Sequence, residues 1–335
     1  MKNITIGVIG SGAWGTALAN CLSHNNKIVT IWCRREEIAR DINNNKRNSN
    51  SLPQIMLHEE LVATCNLVDV ANCDIVLLAV PTQYIRDIAK LLSYKLSEKT
   101  PVVLCSKGIE RKTLCLPSDV IKEFLPSSPI AVLSGPTFAM EVAMGLHSAV
   151  TLACEKENIS KLLIEALHCR NIRPYISNDI IGVQIGGALK NIIAIACGVL
   201  DGLNQGENSK AAIVSRGLTE MIRLAEALGG KKYTLMGLSG LGDLVLTCNS
   251  MQSRNFSLGK NIAGGKKIQQ YLSSKNSVAE GAYTAAAAIN LSKKNNLQLP
   301  IIEAVHSLIE GKSSLENIIL DLVNRPIKNE SDWEN

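Results

Sequence analysis

The stretch "ITIGVIGSGAWGTALANCL", Ile4 to Leu22, decides how the first half of the chain folds. An apolar run leads directly into the glycine-rich turn "GSGAWG", and an apolar helical pattern follows the turn. Glycines at the first, third and sixth positions of such a turn permit a tight bend, let the backbone approach a pyrophosphate, and let the helix pack closely on the strand. The unpaired N–H groups at the start of the helix favour an anion. We therefore predict a dinucleotide-binding turn made by Gly10, Gly12, Ala13 and Gly15.

The second apolar run, Ile28–Trp32, is followed by two arginines, Arg34 and Arg35. A carboxylate at this point would bind the free ribose 2′-hydroxyl of NAD(H) and would repel a 2′-phosphate. Guanidinium groups reverse that preference, because they form charge-assisted hydrogen bonds to phosphate oxygens. The sequence therefore predicts that NADP(H) is preferred and that NAD(H) is possible. The alternative is that both arginines belong to a solvated helix start.

The pattern along the chain changes near residue 180. Before it, short β-branched runs alternate with helical segments, which predicts a parallel sheet covered on both faces. After it the strand signal fades and helices are predicted, with an irregular glycine-rich segment at Gly237–Asn255. We expect an α/β fold with a doubly wound parallel sheet in residues 1–180 and an all-helical domain in residues 181–335. The predicted strands are Ile4–Ile9, Ile28–Trp32, Ile75–Val80, Val102–Cys105, Ile130–Leu133 and Ala149–Ala153, and the predicted late helices are Ile180–Leu200, Ala211–Leu228, Glu280–Asn295, Pro300–Ile309 and Leu315–Val323.

A lysine in the middle of an apolar helix is the strongest chemical signal in the second half. The segment "QIGGALKNIIAIACGVL", Gln184–Leu200, is apolar on nearly every side, yet it contains Lys190. A buried ammonium is costly unless it is paired or faces a cleft. We predict that Lys190 donates and accepts a proton beside a carbonyl, with Asp243 as its best candidate partner. The alternative is a structural lysine whose stem reaches solvent.

Charge and composition argue against a nucleic-acid-binding protein, a metalloprotein and a membrane protein. The net charge of +5 is small and the basic residues are scattered, so nucleic acid is not expected as a partner. The ten cysteines contain no C-x-x-C pair and the histidines are dispersed, so we expect reduced thiols and no metal site. We also expect a cytoplasmic protein without stable membrane insertion, because no uninterrupted apolar run reaches the length that spans a bilayer.

Several segments in order along the chain resemble the bacterial NAD(P)-dependent glycerol-3-phosphate dehydrogenases. They are "GSGAWGTALA" (Gly10–Ala19), "SKGIE" (Ser106–Glu110), "LSGPTFAMEVAMG" (Leu133–Gly145), "GALKNIIAIACG" (Gly187–Gly198), "GLSGLGDLVLTC" (Gly237–Cys248), "SRNFSLG" (Ser253–Gly259) and "VAEGAYT" (Val278–Thr284). Such enzymes reduce dihydroxyacetone phosphate reversibly to sn-glycerol 3-phosphate, the backbone precursor of phospholipids. The resemblance also implies an N-terminal Rossmann domain, an all-helical C-terminal domain and a homodimer.

The resemblance assigns roles position by position. Lys190 matches the proton donor and acceptor. Positions that match substrate contacts are Lys107, Gly135, Thr137, Asp243, Ser253, Arg254 and Asn255. Positions that match cofactor contacts are Trp14, Arg34, Lys107, Ala139, Arg254, Val278 and Glu280. The chain departs from the family at Ser51, where a tyrosine is usual before Leu-Pro, and at His58, where the loop has lost a proline nearby.

Two other functions remain compatible with parts of the pattern. A 6-phosphogluconate or 3-hydroxyacid dehydrogenase also combines a dinucleotide-binding domain with a helical domain and uses a helix lysine. A non-catalytic sensor of NADP(H) would need the glycine-rich turn and would not need Lys190, Asp243 and Arg254.

Overall fold

The computed structural model describes residues 4–25, 27–266 and 280–318. Two compact units can be distinguished in it. Unit 1 comprises Met1–Ser106 and Cys115–Ile180, and unit 2 comprises Lys107–Leu114 and Ile181–Asn335. The short excursion Lys107–Leu114 therefore groups with unit 2, although the neighbouring chain on either side belongs to unit 1.

Unit 1 is built on one sheet of eight strands within the described residues, in the order β3-β2-β1-β4-β5-β6-β7-β8. All neighbouring pairs are parallel except β6 and β7. The strands are β1 (Thr5–Ile9), β2 (Ile28–Trp32), β3 (Val62–Thr64), β4 (Ile75–Leu78), β5 (Val102–Leu104), β6 (Ile130–Ser134), β7 (Ser148–Cys154) and β8 (Ile172–Ser177).

The strand order reverses between β1 and β4, and this reversal positions the glycine-rich turn. Strands of an open parallel sheet bind ligands outside their carboxyl ends at such a switch point. The turn follows β1 directly, and the backbone of Gly10 lies against the carbonyl of Ala79, which follows β4. The sheet thus places the predicted anion-binding helix start where a doubly wound fold binds its ligand.

Seven helices complete the described part of unit 1. They are α1 (Ala13–Ser23), α2 (Glu36–Asn45), α3 (Leu67–Ala71), α4 (Ile85–Leu92, after a 3₁₀ turn at Thr82–Tyr84), α5 (Pro117–Phe124), α6 (Ala139–Ala143) and α7 (Glu157–Leu167). The helical sequence pattern at residues 157–167 coincides with α7.

Three features of the sheet differ from the sequence-based expectation. The parallel direction expected for Ala149–Ala153 is wrong, because β7 runs antiparallel to β6 and the link through α6 makes no parallel crossover. Strand β3 was not predicted, since it has three residues and is partly exposed. Strand β8 was missed because Pro174 interrupts its pattern and most of its residues are half-buried or exposed.

The regular secondary structure of unit 2 is helical within its described residues, and the excursion Lys107–Leu114 contains no helix. Its long central helix α8 passes the length and hydropathy criteria for a membrane span, but 89% of that window is buried inside the fold, as expected for a core helix. The helices are α8 (Ile180–Gly202), α9 (Gly206–Ala227), α10 (Lys232–Leu235), α11 (Asp243–Cys248), α12 (Arg254–Ala263), α13 (Glu280–Lys294) and α14 (Pro300–Ile309).

The segment Gly237–Asn255 is more regular than the sequence indicated. It contains a π-helical turn at Leu238–Gly242, helix α11 and the start of α12. Three glycines in six residues concealed this helical character, because glycine lowers helix propensity. Of the predicted helix Leu315–Val323, residues 315–318 are helical and 319–323 lie outside the described residues, as does Val278.

A buried carboxylate joins two helices of unit 2. Glu220 of α9 is 4% exposed, and its two oxygens accept hydrogen bonds from the backbone N–H groups of Ile301 (2.7 Å) and Ile302 (3.1 Å) in the first turn of α14. Burial raises the pKa of Glu220 from 4.5 to about 7, although the two N–H donors oppose the shift. Glu303 raises the pKa further, and Arg223 lowers it.

This shift predicts a pH-dependent stability. Because the folded-state pKa lies above the unfolded value, the proton stabilises the folded protein fully below pH 4.5, and this stabilisation is lost as the pH rises to about 7. The shift corresponds to about 3 kcal/mol. We expect Glu220→Gln to remove that part of the pH dependence, measured by urea unfolding at pH 5 and pH 7.5 beside the parent protein. An identical pH dependence in both proteins would show that Glu220 does not titrate as described.

Candidate active site

The predicted catalytic lysine lies in the interior of unit 2. Lys190 is in the middle of α8 and is 6% exposed. Its Nζ donates hydrogen bonds to Asp243 Oδ1 at 2.8 Å and to Thr247 Oγ1 at 2.7 Å. The structure therefore brings Lys190 and its predicted partner Asp243 into direct contact.

Asp243 carries a second ammonium group on its other oxygen. Lys107 Nζ lies 2.5 Å from Asp243 Oδ2, and the Asp243 side chain is fully buried. The segment that holds Lys107 is tied to α13, since the Arg111 guanidinium lies 5.2 Å from the ring centroid of Tyr283. Two lysines on one carboxylate leave the cluster with a net positive charge, which suits a substrate oxygen that becomes negative during reaction.

Thr247 is a site residue that sequence reasoning missed. It lies one turn after Asp243 on α11, accepts from Lys190 Nζ, and its hydroxyl is 3.3 Å from Asp243 Oδ1. Its spacing of four from Asp243 is the signal that would have found it, because residues i and i+4 share a helix face. The spacing indicates a shared face only if the segment is a helix, and the sequence predicts an irregular segment at Gly237–Asn255.

Burial tunes the protonation of Lys190. It lowers the pKa of the ammonium from 10.5 to about 8. The adjacent Asp243 carboxylate opposes this shift, and the nearby Lys107 charge adds to it. The group can therefore donate a proton and then accept one near neutral pH, as a general acid and base must.

The start of α12 carries Ser253, Arg254 and Asn255, three positions that match substrate contacts of the family. Ser253 is the N-cap, and its hydroxyl accepts from the N–H of Phe256. The Asn255 side chain is buried and accepts from the N–H of Gly281 at 3.1 Å. Arg254 is exposed, and within the described residues its guanidinium has no carboxylate partner.

Helices α8, α12 and α13 meet beside Lys190. A Cβ added to Gly281 would lie 2.7 Å from the Asn191 carbonyl and 2.8 Å from Asn255 Oδ1. Since Asn191 follows Lys190 in the chain, this contact brings the N-terminus of α12 close to the lysine's stretch of α8. The start of α12 and Lys190 are thus parts of one helical cluster.

The glycine-rich turn in unit 1 has the geometry that a dinucleotide needs. Gly10 has φ +117°, a conformation that favours glycine. A Cβ on Gly15 would lie 1.9 Å from the Gly10 carbonyl oxygen, whereas a Cβ on Gly12 would meet nothing within 4 Å. The backbone at Gly12 is therefore open to a ligand, and the buried Nε1 of Trp14 has no hydrogen-bond partner among the described residues. These observations fit a bound dinucleotide.

The loop that departs from the family packs on this turn. The Ser11 carbonyl accepts hydrogen bonds from Asn48 Nδ2 at 2.9 Å and from Ser51 Oγ at 3.2 Å. Further along the loop, the N–H of His58 donates to Asn20 Oδ1 at 2.7 Å, and its ring meets that of His24 edge to face. Ser51 and His58 therefore keep the loop attached to the turn and to α1.

The two arginines after β2 differ in their surroundings. Arg35 pairs with Glu37 at 3.1 Å. Arg34 is exposed and makes no ion pair within the described part of the chain. Arg34 is therefore the arginine whose charge is available to a ligand.

Other predicted site residues are dispersed over both units. In unit 1, Gly135 and Thr137 lie between β6 and α6, where the Thr137 hydroxyl donates to the Gly135 carbonyl at 3.2 Å, and Ala139 begins α6. Glu280 begins α13 in unit 2. No group of three or more metal-ligating side chains occurs in residues 4–25, 27–266 and 280–318.

Comparison with known proteins identifies the family. Residues 5–160 match the model for the NAD-dependent glycerol-3-phosphate dehydrogenase N-terminus, and residues 179–320 match the model for its C-terminus. The chain is 43% identical to glycerol-3-phosphate dehydrogenase [NAD(P)+] of Parvibaculum lavamentivorans and 46% identical to that of Novosphingobium aromaticivorans, in each case over 97% of this chain and 98% of the relative. The crystal structure of glycerol-3-phosphate dehydrogenase from Coxiella burnetii superposes with a TM-score of 0.92 at 35% identity, covering 96% of this chain and 99% of that one. The chain therefore belongs to the NAD-dependent glycerol-3-phosphate dehydrogenase family.

Proposed function

We propose that this protein catalyses the reversible NAD(P)H-dependent reduction of dihydroxyacetone phosphate to sn-glycerol 3-phosphate, which supplies the backbone for phospholipid synthesis. The observation that carries the proposal is the buried contact of Lys190 with Asp243, on a chain whose close relatives are named for this activity. We assign dinucleotide binding to residues 1–180 and the chemistry to residues 181–335, with Lys107 joining the catalytic group.

One assay tests the activity against its alternatives. Oxidation of NADPH is followed at 340 nm after addition of dihydroxyacetone phosphate, of a 6-phosphogluconate-type substrate, or of no substrate. We expect turnover with dihydroxyacetone phosphate alone. Turnover only with the second substrate would indicate the rival dehydrogenase, and binding of NADPH without any turnover would indicate a sensor.

Lys190 handles the proton in the proposed mechanism. The bound dinucleotide supplies the hydride, and the chain's own residues orient the substrate and manage its charge. Lys190 Nζ donates a hydrogen bond to the substrate carbonyl oxygen and transfers a proton to it as the alkoxide forms. Asp243 holds Nζ in position, and the lysine regains its proton from solvent. In the reverse direction, neutral Lys190 removes the hydroxyl proton.

The phosphate of the substrate is assigned to the start of α12. Arg254 supplies a charged fork, while Ser253 and Asn255 fix the N-terminal turn, whose free N–H groups favour an anion. Binding the phosphate there replaces a chance encounter with a fixed orientation of the carbonyl. Gly135 and Thr137 are assigned as further substrate contacts on the strength of the family motif.

The dinucleotide is assigned to the glycine-rich turn with its neighbours. Gly10, Gly12, Ala13, Trp14 and Gly15 hold the pyrophosphate region, and Arg34 binds the 2′-phosphate of NADP(H), with Arg35 secondary. Preference for NADP(H) over NAD(H) follows from the free charge of Arg34. The family motif adds the remaining cofactor contacts, which are Lys107, Ala139, Arg254, Val278 and Glu280.

Two further properties are proposed from the family resemblance. We place the enzyme in the cytoplasm and expect it to act as a homodimer. Sedimentation equilibrium tests the second property, since a dimer has twice the mass of the 36.1 kDa chain.

Replacing the proton donor tests the mechanism. We expect Lys190→Ala to lower kcat for dihydroxyacetone phosphate reduction by at least about a hundredfold, the usual contribution of a general acid, while the Kd for NADPH stays within about twofold. Lys210→Ala is the matched control, because Lys210 is also a poorly exposed lysine of unit 2 that pairs with a carboxylate, Asp201, at 2.9 Å. Near-parental kcat in the Lys190 variant, or an equal loss in the control, would contradict the assignment.

The charge of Lys107 leads to a prediction about how kcat depends on pH. The charge of Lys107 lowers the pKa of Lys190, so removing it raises that pKa above about 8. Because the reduction needs protonated Lys190, kcat for the parent falls as the pH rises through about 8, and in Lys107→Met this fall moves to higher pH. The measurement is kcat against pH at saturating substrates. A fall at unchanged or lower pH would contradict the electrostatic coupling, whatever the size of the activity.

The two arginines offer an internal control for cofactor choice. We expect Arg34→Ala to lower kcat/KM for NADPH by about ten- to a hundredfold, the value of one charge-assisted bond, and to leave kcat/KM for NADH nearly unchanged. Arg35→Ala should change the NADPH/NADH ratio much less, since Arg35 already pairs with Glu37. Equal kcat/KM values for both cofactors in the parent protein would defeat the proposed preference.

A further inference from the structure

Two cysteines of unit 1 that play no part in the proposed mechanism meet in its core. Cys21 Sγ and Cys169 Sγ are 2.9 Å apart, although the residues are 148 positions apart in the chain. Cys21 lies near the end of α1, and Cys169 lies just before β8. Both are nearly buried, at 4% and 2% exposure.

Hydrogen bonds on either side hold the two thiols face to face. After α1, Asn25 Nδ2 donates to the His168 carbonyl at 3.0 Å, and Lys27 Nζ donates to the carbonyls at the end of α7. Cys169 is itself fixed by two backbone hydrogen bonds exchanged with Ile172, each 3.2 Å long. The contact between the sulfur atoms is therefore imposed by the backbone on both sides.

The surroundings of Cys169 favour its thiolate. The hydrogen bond from Cys21 lowers the pKa of Cys169 to about 7, and backbone N–H groups of Asn171 and Ile172 and the Lys27 ammonium contribute to the shift. Burial and the same contact raise the pKa of Cys21. The pair thus consists of a reactive thiolate beside a thiol, since the thiolate is the form that attacks sulfur.

Cys169, although 2% exposed, is one of the residues that line a pocket. The pocket has a volume of about 460 Å³, and two arginines and two histidines line it: Arg170, Arg173, His147 and His168. The two guanidinium groups favour small molecules that carry carboxylates.

We propose that Cys21 and Cys169 form a redox-active dithiol, which a small carboxylate-bearing disulfide converts reversibly into an intramolecular disulfide. The sulfur atoms need to approach by only about 0.9 Å to reach the length of a disulfide bond. This modification site is independent of the proposed dehydrogenase activity.

The thiol–disulfide exchange takes place in two steps, in which all atoms and electrons are accounted for. The Cys169 thiolate attacks one sulfur of the small disulfide, forms a mixed disulfide and releases one thiolate of the reagent. Cys21 then loses its proton to solvent and attacks the Cys169 sulfur, which forms the Cys21–Cys169 bond and expels the second thiolate. The protein loses two electrons and two protons, and the reagent leaves as two thiols.

The product joins α1 to the start of β8 across a long stretch of chain. Closing such a loop restricts the unfolded chain, so the oxidised protein is expected to be the more stable form. Because α1 presents its other end to the glycine-rich turn, the bond fixes the far end of the helix that is assigned to the dinucleotide.

Peptide mapping of the folded full chain tests the proposal. After incubation with oxidised glutathione, we expect the mass to fall by two hydrogen atoms, eight of the ten thiols to remain, and the linked peptides to contain Cys21 and Cys169. The Tm should rise by several degrees and return on addition of dithiothreitol. Retention of all ten thiols, or a link between other cysteines, would overturn the proposal.

The charge of the reagent is tested separately. The neutral bis(2-hydroxyethyl) disulfide should react more slowly than oxidised glutathione, and an equal rate would contradict the preference for a carboxylate-bearing reagent.

Variants and an internal comparison sharpen the test. In Cys21→Ser, Cys169 should keep the mixed disulfide with glutathione, and in Cys169→Ser no modification should occur at Cys21. Cys197 and Cys248 of unit 2 also share a hydrogen bond but are both 0% exposed, so they should stay reduced. Oxidation of that pair at the same rate would show that mere contact of thiols decides the outcome. The peptide mapping uses the parent protein, so it tests the proposal even if one of the variants fails to fold.

Discussion

The carboxylate of Asp243 is the constraint on which the site of unit 2 depends. An ammonium in the middle of α8 would be costly to bury alone, because a charge that leaves water loses its hydration. Asp243 offsets that cost by binding Lys190 on one oxygen and Lys107 on the other. The carboxylate is fully buried, so neither ion pair is weakened by solvent as a surface pair would be. The result is a cluster with one excess positive charge at a fixed position.

Close packing around α8 brings the members of this cluster together. The backbone of the π-helical turn approaches Gly186, where a Cβ would lie 2.4 Å from the Ser239 carbonyl oxygen. On the same helix, a Cβ on Gly198 would lie 2.0 Å from the Phe256 carbonyl oxygen of α12. Two glycines thus let the segment before Asp243 and helix α12 reach the backbone of α8, which carries Lys190. The glycines of α8 therefore help to position the proposed catalytic residues.

The sequence predicts the fold correctly at places where the local residue pattern favours the same structure that packing in the folded protein requires. The strand, turn and helix around Gly10 and the polarity break at Lys190 are such places, since each is decided within about twenty residues. Strand β8 and helix α11 were missed, because Pro174 and a run of glycines oppose the structure that packing imposes. The contact of Thr247 with Lys190 could not be predicted from composition or spacing, because its spacing from Asp243 has meaning only once α11 is known to be a helix. The parallel direction expected for β7 was wrong because strand direction depends on the length of the connecting crossover, which residue patterns do not encode.

Residue type alone does not separate the lysine proposed as catalytic from a structural one, and both lie in unit 2. Lys210 is nearly as poorly exposed as Lys190, but it binds the carboxylates of both Glu207 and Asp201, and these hydrogen bonds raise its pKa. Lys190 shares a single carboxylate with a second lysine, and burial dominates, so its pKa falls to about 8. Lys210 therefore stays charged throughout the physiological range and serves to join helices. Only Lys190 of the two can give up a proton and recover it, and this difference comes from the desolvation of the Lys190 ammonium on one side and from the two carboxylates that bind Lys210 on the other.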